Sequence, residues 1–491
     1  MNSNTNRINN LKNILKLNID PYPPEQYKIT HYINFIITNY IKFDSQNNIT
    51  IAGRIMGKRV MGKTMFITIM DHTGKIQLYI NKYNINDSCQ YDLLIKKLLD
   101  IGDIIGVQGV VFLTKTNEIT INVKNIKLLS KSLKDLPIVK KDSKGNIYDE
   151  FNNKELRYRN RYVDLIVNDK IKNIFYIRSI IIKIIRSFFD DNKWLEVETP
   201  ILQNIYGGAN AKPFYTYHNA LNKKFYLRIS NELYLKKLIV GGFEGVYEIS
   251  KMFRNEGMDS THNPEFTSLE LYVAYKDYIW MMELVEKLLL KISCLIYDNS
   301  NIKLEKCNIN FKKPYTKLTF YDAIKNICKI DMINSSYEDI KIYCNNNNIG
   351  ITSGNRVDIA LDIFDKKVQP KLIDPTFIID YPYQSTPLAK KHRNNSSLVE
   401  RFELFINGKE IANAYSEENN PIEQRNKLEK QLIENENSEN ILDEDFLNAM
   451  EYGMPPTSGL GIGIDRLIMI FTNQNSIQEV LLFPHMRDKN N

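Results

Sequence analysis

The sequence predicts an α+β protein in which a small β-barrel precedes a larger domain of strands and helices. The length of 491 residues leaves room for two or three units with sizeable cores. Short β-rich runs separated by turns occupy residues 48–132, whereas long helices and strand hairpins follow from residue 166. These patterns divide the chain into a lead-in, a barrel, a linker and a larger domain.

Residues 1–47 are predicted to form a polar lead-in with helical character. Five runs then predict a barrel of the oligonucleotide-binding (OB) type over residues 48–132, namely "ITIAGRIM", "TMFITIM", "KIQLYI", "DIIGVQGVVFL" and "EITINVKNIKLL". Phe66 lies on the second run and is either a core residue or, if exposed, a surface on which a base stacks. A polar linker is predicted over residues 133–165.

The larger domain, residues 166–491, is predicted to open with a helix over Lys170–Asp190. Apolar residues mark two of its faces, so this helix packs either within a core or against a second subunit. One stripe contains Ile174, Ile177, Ile181, Ile184, Ile185 and Phe188, and the other contains Phe175, Ile182 and Phe189. The predicted strand "WLEVETP" follows the helix, and Pro200 ends it.

Net charge, cysteine content and the N-terminal sequence indicate which partners, cysteine-based sites and membrane segments are to be expected. A formal charge of +7 favours a polyanionic partner, although a solvated surface explains it equally well. The five cysteines are scattered and contain no C-x-x-C pair, which argues against a disulfide framework and a thiolate zinc site. The N-terminus lacks an apolar signal core, so we expect a cytoplasmic protein without a membrane segment.

The stretch "FRNEGMDSTHNPEFTSLELY" predicts a hairpin with one charged face. Arg254 and Glu256 are two residues apart and share a face of the outgoing strand. The returning strand places Phe266, Ser268, Glu270 and Tyr272 on one face and Thr267, Leu269, Leu271 and Val273 on the other. The second, more apolar set should pack on helices, whereas the charged face would be costly to bury without a ligand.

A second hairpin is predicted in "RFELFINGKEIANAYSE", where Asn407-Gly408 is a strong turn signal. A two-residue turn places Glu403 opposite Ala412, with Glu410 as its diagonal neighbour. These two carboxylates suit a bound Mg²⁺, although two solvated surface glutamates are the alternative. The same register turns Asn413, Tyr415 and Glu417 to the opposite face. These residues can share the site with the two carboxylates only if a bulge lies between Glu410 and Asn413, and we predict one.

Alternating glycines occur near the C-terminus in "GMPPTSGLGIGIDRLIMIF". Gly459, Gly461 and Gly463 lie along one face of a predicted strand and make room for a flat ligand. Arg466 opens the following helix, and its guanidinium suits stacking on a planar base. The spacing differs from the dinucleotide-binding G-x-G-x-x-G pattern.

Three segments in this order resemble the motifs of class II aminoacyl-tRNA synthetases: "WLEVETP" is similar to motif 1, "FRNEG…HNPEF" to motif 2 and "GLGIGIDRL" to motif 3. The segments "GGANAKPF", "LRISNELYLKKLIVGG", "STPLAKKHR" and "LLFPHMR" resemble lysyl-tRNA synthetases of bacterial type, in subclass b. The resemblance runs from Ile49 to the C-terminus. It implies an anticodon-binding barrel and a seven-stranded antiparallel catalytic sheet with flanking helices and a helical insertion between motifs 2 and 3. It also implies a homodimer through motif 1.

The resemblance implies that lysine and ATP form lysyl-adenylate and pyrophosphate, and that lysine is then transferred to the 3′-end of lysine tRNA. Arg254 and Arg466 are the implied catalytic residues. The implied ATP-binding residues are Arg254, Glu256, His262, Phe266, Glu403, Gly463 and Arg466, with Glu403 and Glu410 as Mg²⁺ ligands. The implied lysine-binding residues are Gly208, Glu232, Glu270, Tyr272, Asn413, Tyr415 and Glu417. In the barrel, Arg59, Phe66, Gln77 and Glu118 match positions that read a U-rich anticodon.

Individual roles follow from the same resemblance. Arg254 is expected to hold the α-phosphate and the lysine carboxylate, while adenine lies between Phe266 and Arg466. Tyr272 and Glu417 are expected to receive the ε-ammonium. The chain departs from some relatives, which carry a basic residue where Thr261 stands, so more of the triphosphate contact is expected from His262 and Arg466.

Three alternatives compete with this interpretation. Aspartyl and asparaginyl synthetases share the three motifs, but they need cationic groups where this chain has Glu417 and Tyr272. A non-catalytic RNA-binding paralogue should have lost charged residues such as Arg254 and Arg466, which are present. A relative that lysylates a protein would lack the barrel.

Overall fold

The computed structural model describes residues 2–43, 48–86, 91–141, 147–148, 151–304, 307–350, 355–434 and 441–488. Cys89 lies outside these described residues. The chain divides into two compact units, Met1–Asn168 and Asp169–Asn491. Among the described residues, none of the helices has the length and apolar character needed to cross a bilayer.

The first unit contains the predicted five-stranded closed barrel, with neighbouring strands in the order β1-β2-β3-β5-β4. Alternate residues of each strand enter its core, as shown by buried Met65, Ile67 and Ile69. The strands are β1 Asn48–Met61, β2 Thr64–Met70, β3 Lys75–Asn81, β4 Ile104–Leu113 and β5 Ile119–Ser130. A π-helical segment, Tyr91–Leu98, precedes β4.

The remaining elements of this unit flank the barrel in sequence. They are the helices α1 Asn2–Lys16 and α2 Ile33–Thr38, the 3₁₀ turn Tyr40–Lys42, the short strands β6 Lys140–Lys141 and β7 Ile147–Tyr148, and the helices α3 Lys154–Arg159 and α4 Arg161–Val167. Ile14, Ile33 and Ile36 of the lead-in belong to the same apolar core as the barrel strands. The lead-in therefore contributes to the stability of the barrel unit.

The second unit is built on a nine-stranded sheet with helices packed against it. Its helices are α5 Asp169–Asp190, α6 Glu232–Val240, α7 Tyr278–Tyr297, α8 Phe320–Cys328, α9 Tyr337–Asn346, α10 Arg356–Ile363, α11 Pro421–Glu434, α12 Glu444–Glu451, α13 Ile464–Phe471 and α14 Ile477–Val480, with shorter helical turns at Phe364–Val368, Gln369–Lys371 and Tyr383–Ser385. Its strands are β8 Leu195–Glu196, β9 Leu202–Gln203, β10 Tyr215–His218, β11 Lys223–Leu227, β12 Gly245–Phe253, β13 Glu265–Ala274, β14 Asn301–Lys303, β15 Asn308–Asn310, β16 Thr316–Thr319, β17 Thr376–Pro382, β18 Lys391–His392, β19 Asn395–Ile406, β20 Lys409–Ser416 and β21 Thr457–Gly463.

The large sheet is mixed rather than a seven-stranded antiparallel sheet. Its main path runs β16-β17-β19-β20-β21-β13-β12-β8, and β18 pairs with β19. The six strands from β17 to β12 along this path are antiparallel, whereas β16 and β8 join the two ends as parallel strands. These edges include motif 1, where only Leu195–Glu196 of the predicted strand "WLEVETP" is paired.

The apolar face of β13 covers the predicted core. Leu269, Leu271 and Val273 are fully buried in a cluster with residues of α5, α7 and α13, as their alternation predicted. Gly245 of β12 allows the Trp194 ring to pack there, because a Cβ at Gly245 would lie 2.2 Å from it. The other face of β13 is therefore directed away from the main core.

The hairpin β19–β20 contains the predicted turn and the predicted bulge. Asn407 and Gly408 have φ angles of 50° and 70°, as a two-residue hairpin turn requires. Phe405 pairs with Glu410 but Leu404 pairs with Ala412, so an extra residue is inserted at Ile411. Glu403 consequently pairs with Asn413 and not with Ala412, because the bulge shifts the register by one residue.

Candidate functional site

A cavity of about 1920 Å³ in the second unit brings most of the predicted site residues together. It lies over the face of β13, β20 and β21 opposite the main core. Its lining includes Gly208, Glu232, Arg254, Glu256, His262, Phe266, Glu270, Tyr272, Glu410, Asn413, Tyr415, Gly463 and Arg466. Glu403 and Glu417 do not line it, although both contact residues at its edge.

Arg254 supplies an unpaired positive charge at one end of the cavity. It follows β12 in a loop rather than lying on the strand, because β12 ends at Phe253. Its guanidinium lies 5.1 Å from the centre of the Phe266 ring, and its buried Nε has no hydrogen-bond partner among the described residues. Burial lowers the pKa of Arg254, although Glu410 and other nearby carboxylates oppose this. A buried cation of this kind requires an anion.

Arg466 lies in a chain of polar contacts beside Arg254. Its Nη1 donates to the backbone oxygen and to Oε2 of Glu410, both at 3.2 Å. Its Nη2 lies 3.1 Å from His262 Nε2, and His262 Nδ1 lies 2.8 Å from Asp259. Because arginine only donates, Nε2 accepts and the imidazole proton is directed toward Asp259. Thr261 also donates to Asp259, so it stabilises this turn.

The two predicted metal ligands each contact an arginine in this structure. Glu403 accepts from Arg401 at 2.5 Å and from the Tyr381 hydroxyl at 2.7 Å. Burial raises the pKa of Glu403 to about 7, opposed by Arg401 and reinforced by the charge of Glu410. No set of three His, Cys, Asp or Glu side chains in the described part of the chain is arranged to hold a metal by itself.

Three carboxylates and one ammonium form a cluster, here called the acidic cluster, at the other end of the cavity. Glu232, Glu270 and Glu417 are its carboxylates, and Lys236 of α6 is its ammonium. The Lys236 side chain is fully buried and forms ion pairs with Glu232, at 2.5 Å, and with Glu417. The Tyr415 hydroxyl donates to Glu232 at 2.9 Å. Two positive charges are therefore missing if all three carboxylates are ionised.

The pKa values of Glu270 and Glu417 reflect this shortage of positive charge. Burial raises the pKa of Glu270 to about 8, and the charge of Glu232 adds to the shift. Burial also raises the pKa of Glu417 well above its ordinary value, although Lys236 opposes the shift. Glu417 Oε1 is buried without a hydrogen-bond partner among the described residues. A ligand with ammonium groups would compensate these carboxylates.

The glycines of β21 make room for the protein's own side chains, which differs from the flat ligand that was predicted. A Cβ at Gly459 would lie 2.0 Å from Glu417 Oε1 and 2.5 Å from the Tyr272 ring. A Cβ at Gly461 would lie 3.0 Å from a Glu270 oxygen. Only Gly463 faces Arg466, with its closest approach at 3.8 Å. The strand therefore shapes the acidic cluster at two of its three glycines.

Gly208 and Asn413 are also held in defined orientations. Gly208 has a φ of 80°, and a Cβ there would lie 2.9 Å from Ser230 Oγ, so a larger residue would be strained. Arg401 Nε donates to Asn413 Oδ1 at 3.1 Å, which directs the amide nitrogen away from Arg401. Both residues line the same cavity as Glu232 and Glu270.

Of the predicted barrel residues, Arg59, Phe66 and Gln77 lie on the neighbouring strands β1, β2 and β3, and Glu118 directly precedes β5. Phe66 is half-buried and pairs with Arg59 of β1, while its strand neighbours enter the core. Its ring lies 5.4 Å from that of Tyr79, which lies 6.1 Å from that of Phe112. Gln77 Nε2 donates to Glu118 at 3.0 Å. Phe66 therefore points out of the barrel core, as an aromatic surface for stacking would require.

The outer face of α5 borders a groove of about 620 Å³. Ile182 and Ser179 line it together with Phe175 and Leu482, whereas Ile181 and Ile185 on the opposite face are fully buried. Arg178 on the same helix pairs with Asp465 at 2.6 Å, and Asp465 accepts from the Thr267 backbone at 2.8 Å. The second predicted stripe is therefore divided: Phe189 is fully buried in the main core, Ile182 packs partly against that core, and Phe175 lines the groove.

Two functional side chains of the site were not predicted from the sequence. Arg401 orients both Glu403 and Asn413, and Lys236 bridges two carboxylates of the acidic cluster. A signal for Arg401 existed, because it lies two residues before Glu403 and so shares its strand face. Lys236 gave no such signal, because a Glu–Lys pair four residues apart is typical of an exposed helix.

The sequence is similar to known proteins over nearly its whole length. Residues 153–487 match the family described as tRNA synthetases class II (D, K and N), and residues 49–129 match the OB-fold nucleic acid binding domain. The chain is 50% identical to a lysine–tRNA ligase of Azobacteroides pseudotrichonymphae genomovar. CFP2, with 98% of this chain and 97% of the relative covered. It is 49% identical to a lysine–tRNA ligase of Christiangramia forsetii and 48% identical to one of Porphyromonas gingivalis, each covering 98% of this chain and 85% of the relative.

Proposed function

This chain belongs to the lysine–tRNA ligases among the class II tRNA synthetases, and we propose that the cavity of its second unit forms lysyl-adenylate from lysine and ATP. One observation carries this placement: the unpaired guanidinium of Arg254 lines the same cavity as Glu232 and Glu270, and Glu417 lies against the lining residue Gly459. ATP presents negative charge and lysine presents two ammonium groups. The two ends of the cavity therefore complement the two substrates.

The arginine end is proposed to bind ATP. Arg254 holds the α-phosphate and the lysine carboxylate, where negative charge develops when the carboxylate attacks. Adenine lies between Phe266 and Arg466, with Glu256 at its edge. Gly463 leaves the strand backbone open beside Arg466, and His262 contacts the γ-phosphate.

Glu403 and Glu410 are the residues we propose to hold Mg²⁺. The charge of Glu410 contributes to the raised pKa of Glu403, so the two carboxylates are near enough to repel each other. Mg²⁺ commonly binds one or two carboxylates together with substrate phosphates, which fits a pair that cannot hold a metal alone. When bound, the ion neutralises charge on the triphosphate. Arg401 and Arg466 orient the two carboxylates.

The acidic cluster is proposed to bind lysine. Gly208, Glu232 and Glu270 surround the α-amino group, and the Asn413 amide donates to the carboxylate. Tyr415 lies beside the aliphatic chain, while Tyr272 and Glu417 receive the ε-ammonium. The unpaired Glu417 Oε1 beside Gly459 supports this placement.

We propose that the barrel reads the anticodon of lysine tRNA and that the reaction takes place in the cytoplasm. Phe66 offers a half-buried, outward-facing ring for an unstacked base, and Arg59, Gln77 and Glu118 offer polar groups for its edges. Tyr79 and Phe112 extend the aromatic surface, which the sequence did not indicate.

A homodimer through motif 1 is proposed from the face of α5 that borders the groove. The core alternative accounts for Phe189 and for part of Ile182, but Phe175 and Ile182 also line the groove. A second copy of the chain would cover Phe175 and Ile182. The contact of Arg178 with Asp465 places this face beside motifs 2 and 3.

The decisive experiment is amino-acid-dependent exchange of pyrophosphate into ATP, measured with each of the twenty amino acids. Lysine is expected to support exchange well above the others. The acidic cluster would repel the side chain of aspartate, so aspartate-dependent exchange would overturn the placement. Ornithine is expected to support low but measurable exchange, since one methylene changes binding by about 1–3 kcal/mol.

A further inference from the structure

Lys236 occupies the centre of the acidic cluster although nothing in the reaction requires a lysine there. Its side chain is fully buried on α6, and its ammonium pairs with Glu232 and Glu417. It also lies 5.7 Å from the centre of the Tyr415 ring. A buried ammonium is costly unless it is paired, so these contacts explain why the lysine remains charged.

The partners of Lys236 are proposed above to receive different ends of the substrate. Glu232 belongs to the α-amino site, and Glu417 belongs to the ε-ammonium site. Glu232 lies one helical turn before Lys236, whereas Glu417 follows β20 and is distant in sequence. The Lys236 ammonium therefore links Glu232 and Glu417. The distance between these two carboxylates must match the distance between the two ammonium groups of the substrate.

Lys236 has a second role, because its positive charge offsets part of the negative charge of the acidic cluster. Glu232, Glu270 and Glu417 carry three negative charges when ionised, and Lys236 cancels one of them. The two ammonium groups of lysine cancel the remaining two. A ligand with a single ammonium would leave one carboxylate without a cation, so that carboxylate would keep its proton and would not contribute an ion pair to binding.

We propose that Lys236 is a positioning and specificity-determining residue that fixes the spacing of Glu232 and Glu417 and sets the charge of the pocket to match a diammonium ligand. This inference rests on the proposed function. Lys236 acts through the two carboxylates and does not itself contact the reacting atoms. Its effect should therefore fall on lysine recognition and not on ATP binding.

The test compares lysine-dependent and ornithine-dependent pyrophosphate exchange in Lys236→Met and wild type. We expect the KM for lysine to rise about tenfold or more, the KM for ATP to stay within about twofold, and the preference for lysine over ornithine to fall about fivefold or more. Lys131→Met is the matched control, because Lys131 is also buried and bridges two carboxylates, Asp100 and Asp103, in the barrel unit. This control should leave both KM values unchanged.

A double variant shows whether Lys236 acts through Glu417. If it does, Lys236→Met combined with Glu417→Gln should bind lysine within about threefold of Glu417→Gln alone. Independent roles would instead multiply the two losses and overturn the inference, as would an unchanged lysine KM in folded Lys236→Met. If Lys236→Met does not fold, Lys236→Gln replaces it in the same measurements, because glutamine keeps hydrogen-bond donors without the charge. The same changes in the lysine KM then support or overturn the inference. Absence of lysine-dependent exchange in wild type would contradict the proposed function instead.

Discussion

Glu270 lies in the cavity with its carboxylate withdrawn from water and near another carboxylate. The folded protein retains its proton up to a pH of about 8, whereas the ordinary pKa is 4.5. Folding therefore takes up a proton between these values, so the contribution of Glu270 lowers stability as pH rises through that window and is constant above it. Function and stability conflict at this residue.

We predict that Glu270→Gln makes the substrate-free protein more stable at pH 8 but abolishes lysine-dependent exchange. The gain should be on the order of a few kcal/mol at pH 8 and small at pH 5, since one pKa unit corresponds to about 1.4 kcal/mol. Thermal unfolding midpoints across this range measure it. An equal change at both pH values would contradict the raised pKa.

Glu417→Gln separates recognition of lysine from recognition of ATP. The substitution keeps the size of the side chain but removes the charge proposed to receive the ε-ammonium, so the KM for lysine should rise about tenfold or more. The KM for ATP should change by less than about twofold. Glu418→Gln is a matched control, because Glu418 is buried next in sequence but pairs with Lys427 at 2.7 Å. Equal changes in both KM values would refute the assigned role.

The element scale shows which structural features the sequence could predict. The barrel strands and the opening helix of the second unit followed from local alternation. The bulge at Ile411 followed from the turn Asn407–Gly408 together with the requirement that Asn413, Tyr415 and Glu417 share one site with Glu403. The buried position of Lys236 could not be predicted from local sequence. Its burial depends on an ion pair with Glu417, which follows β20 and is distant in sequence. The glycines of β21 were assigned to a flat ligand because their alternation shows open space without showing what fills it.

The three glycines provide a graded test along one strand. Alanine at Gly459 would place a Cβ 2.0 Å from Glu417, alanine at Gly461 would place one 3.0 Å from Glu270, and alanine at Gly463 has its closest approach at 3.8 Å. The KM for lysine should therefore rise most in Gly459→Ala, less in Gly461→Ala and least in Gly463→Ala. Exchange assays measure this order, and the reverse order would contradict the proposed position of lysine beside Gly459 and Gly461.

A substitution on helix α5 tests the proposed homodimer. Ile182→Asp should weaken the homodimer, because it places a charge on the proposed contact face, where an unpaired buried charge costs several kcal/mol. Sedimentation velocity measures the mass. Ile333→Asp is the control, because Ile333 is 61% exposed and lies outside α5. A variant that remains dimeric would place the contact elsewhere.

At the scale of the whole molecule, the two compact units divide the proposed work. Each has its own apolar core, one around the barrel strands and one around the large sheet. The sequence predicted both units, because strand spacing and helix length differ between them. It did not predict the parallel edges of the large sheet, because pairing between distant short strands leaves no local pattern.

This division predicts that damage to the barrel surface affects only the transfer to tRNA. Phe66→Ala in the full chain should raise the KM for tRNA about tenfold, given about 1–3 kcal/mol for one stacked base. Pyrophosphate exchange without tRNA should stay unchanged and serves as the internal control. A loss of exchange would show that the substitution disturbs the second unit, and an unchanged tRNA KM would exclude stacking on Phe66.

The hairpin of β19 and β20 limits how this protein can change in length. A turn of two residues and one extra residue at Ile411 together decide which side chains of β20 share a face with Glu403. An inserted residue that shifts the pairing of β20 by one position would move Asn413 and Tyr415 to the opposite side and would remove two of the proposed contacts to substrate at once. Viable descendants of this sequence should therefore lengthen the paired part of this hairpin by even numbers of residues, whereas the turn itself can absorb a single residue.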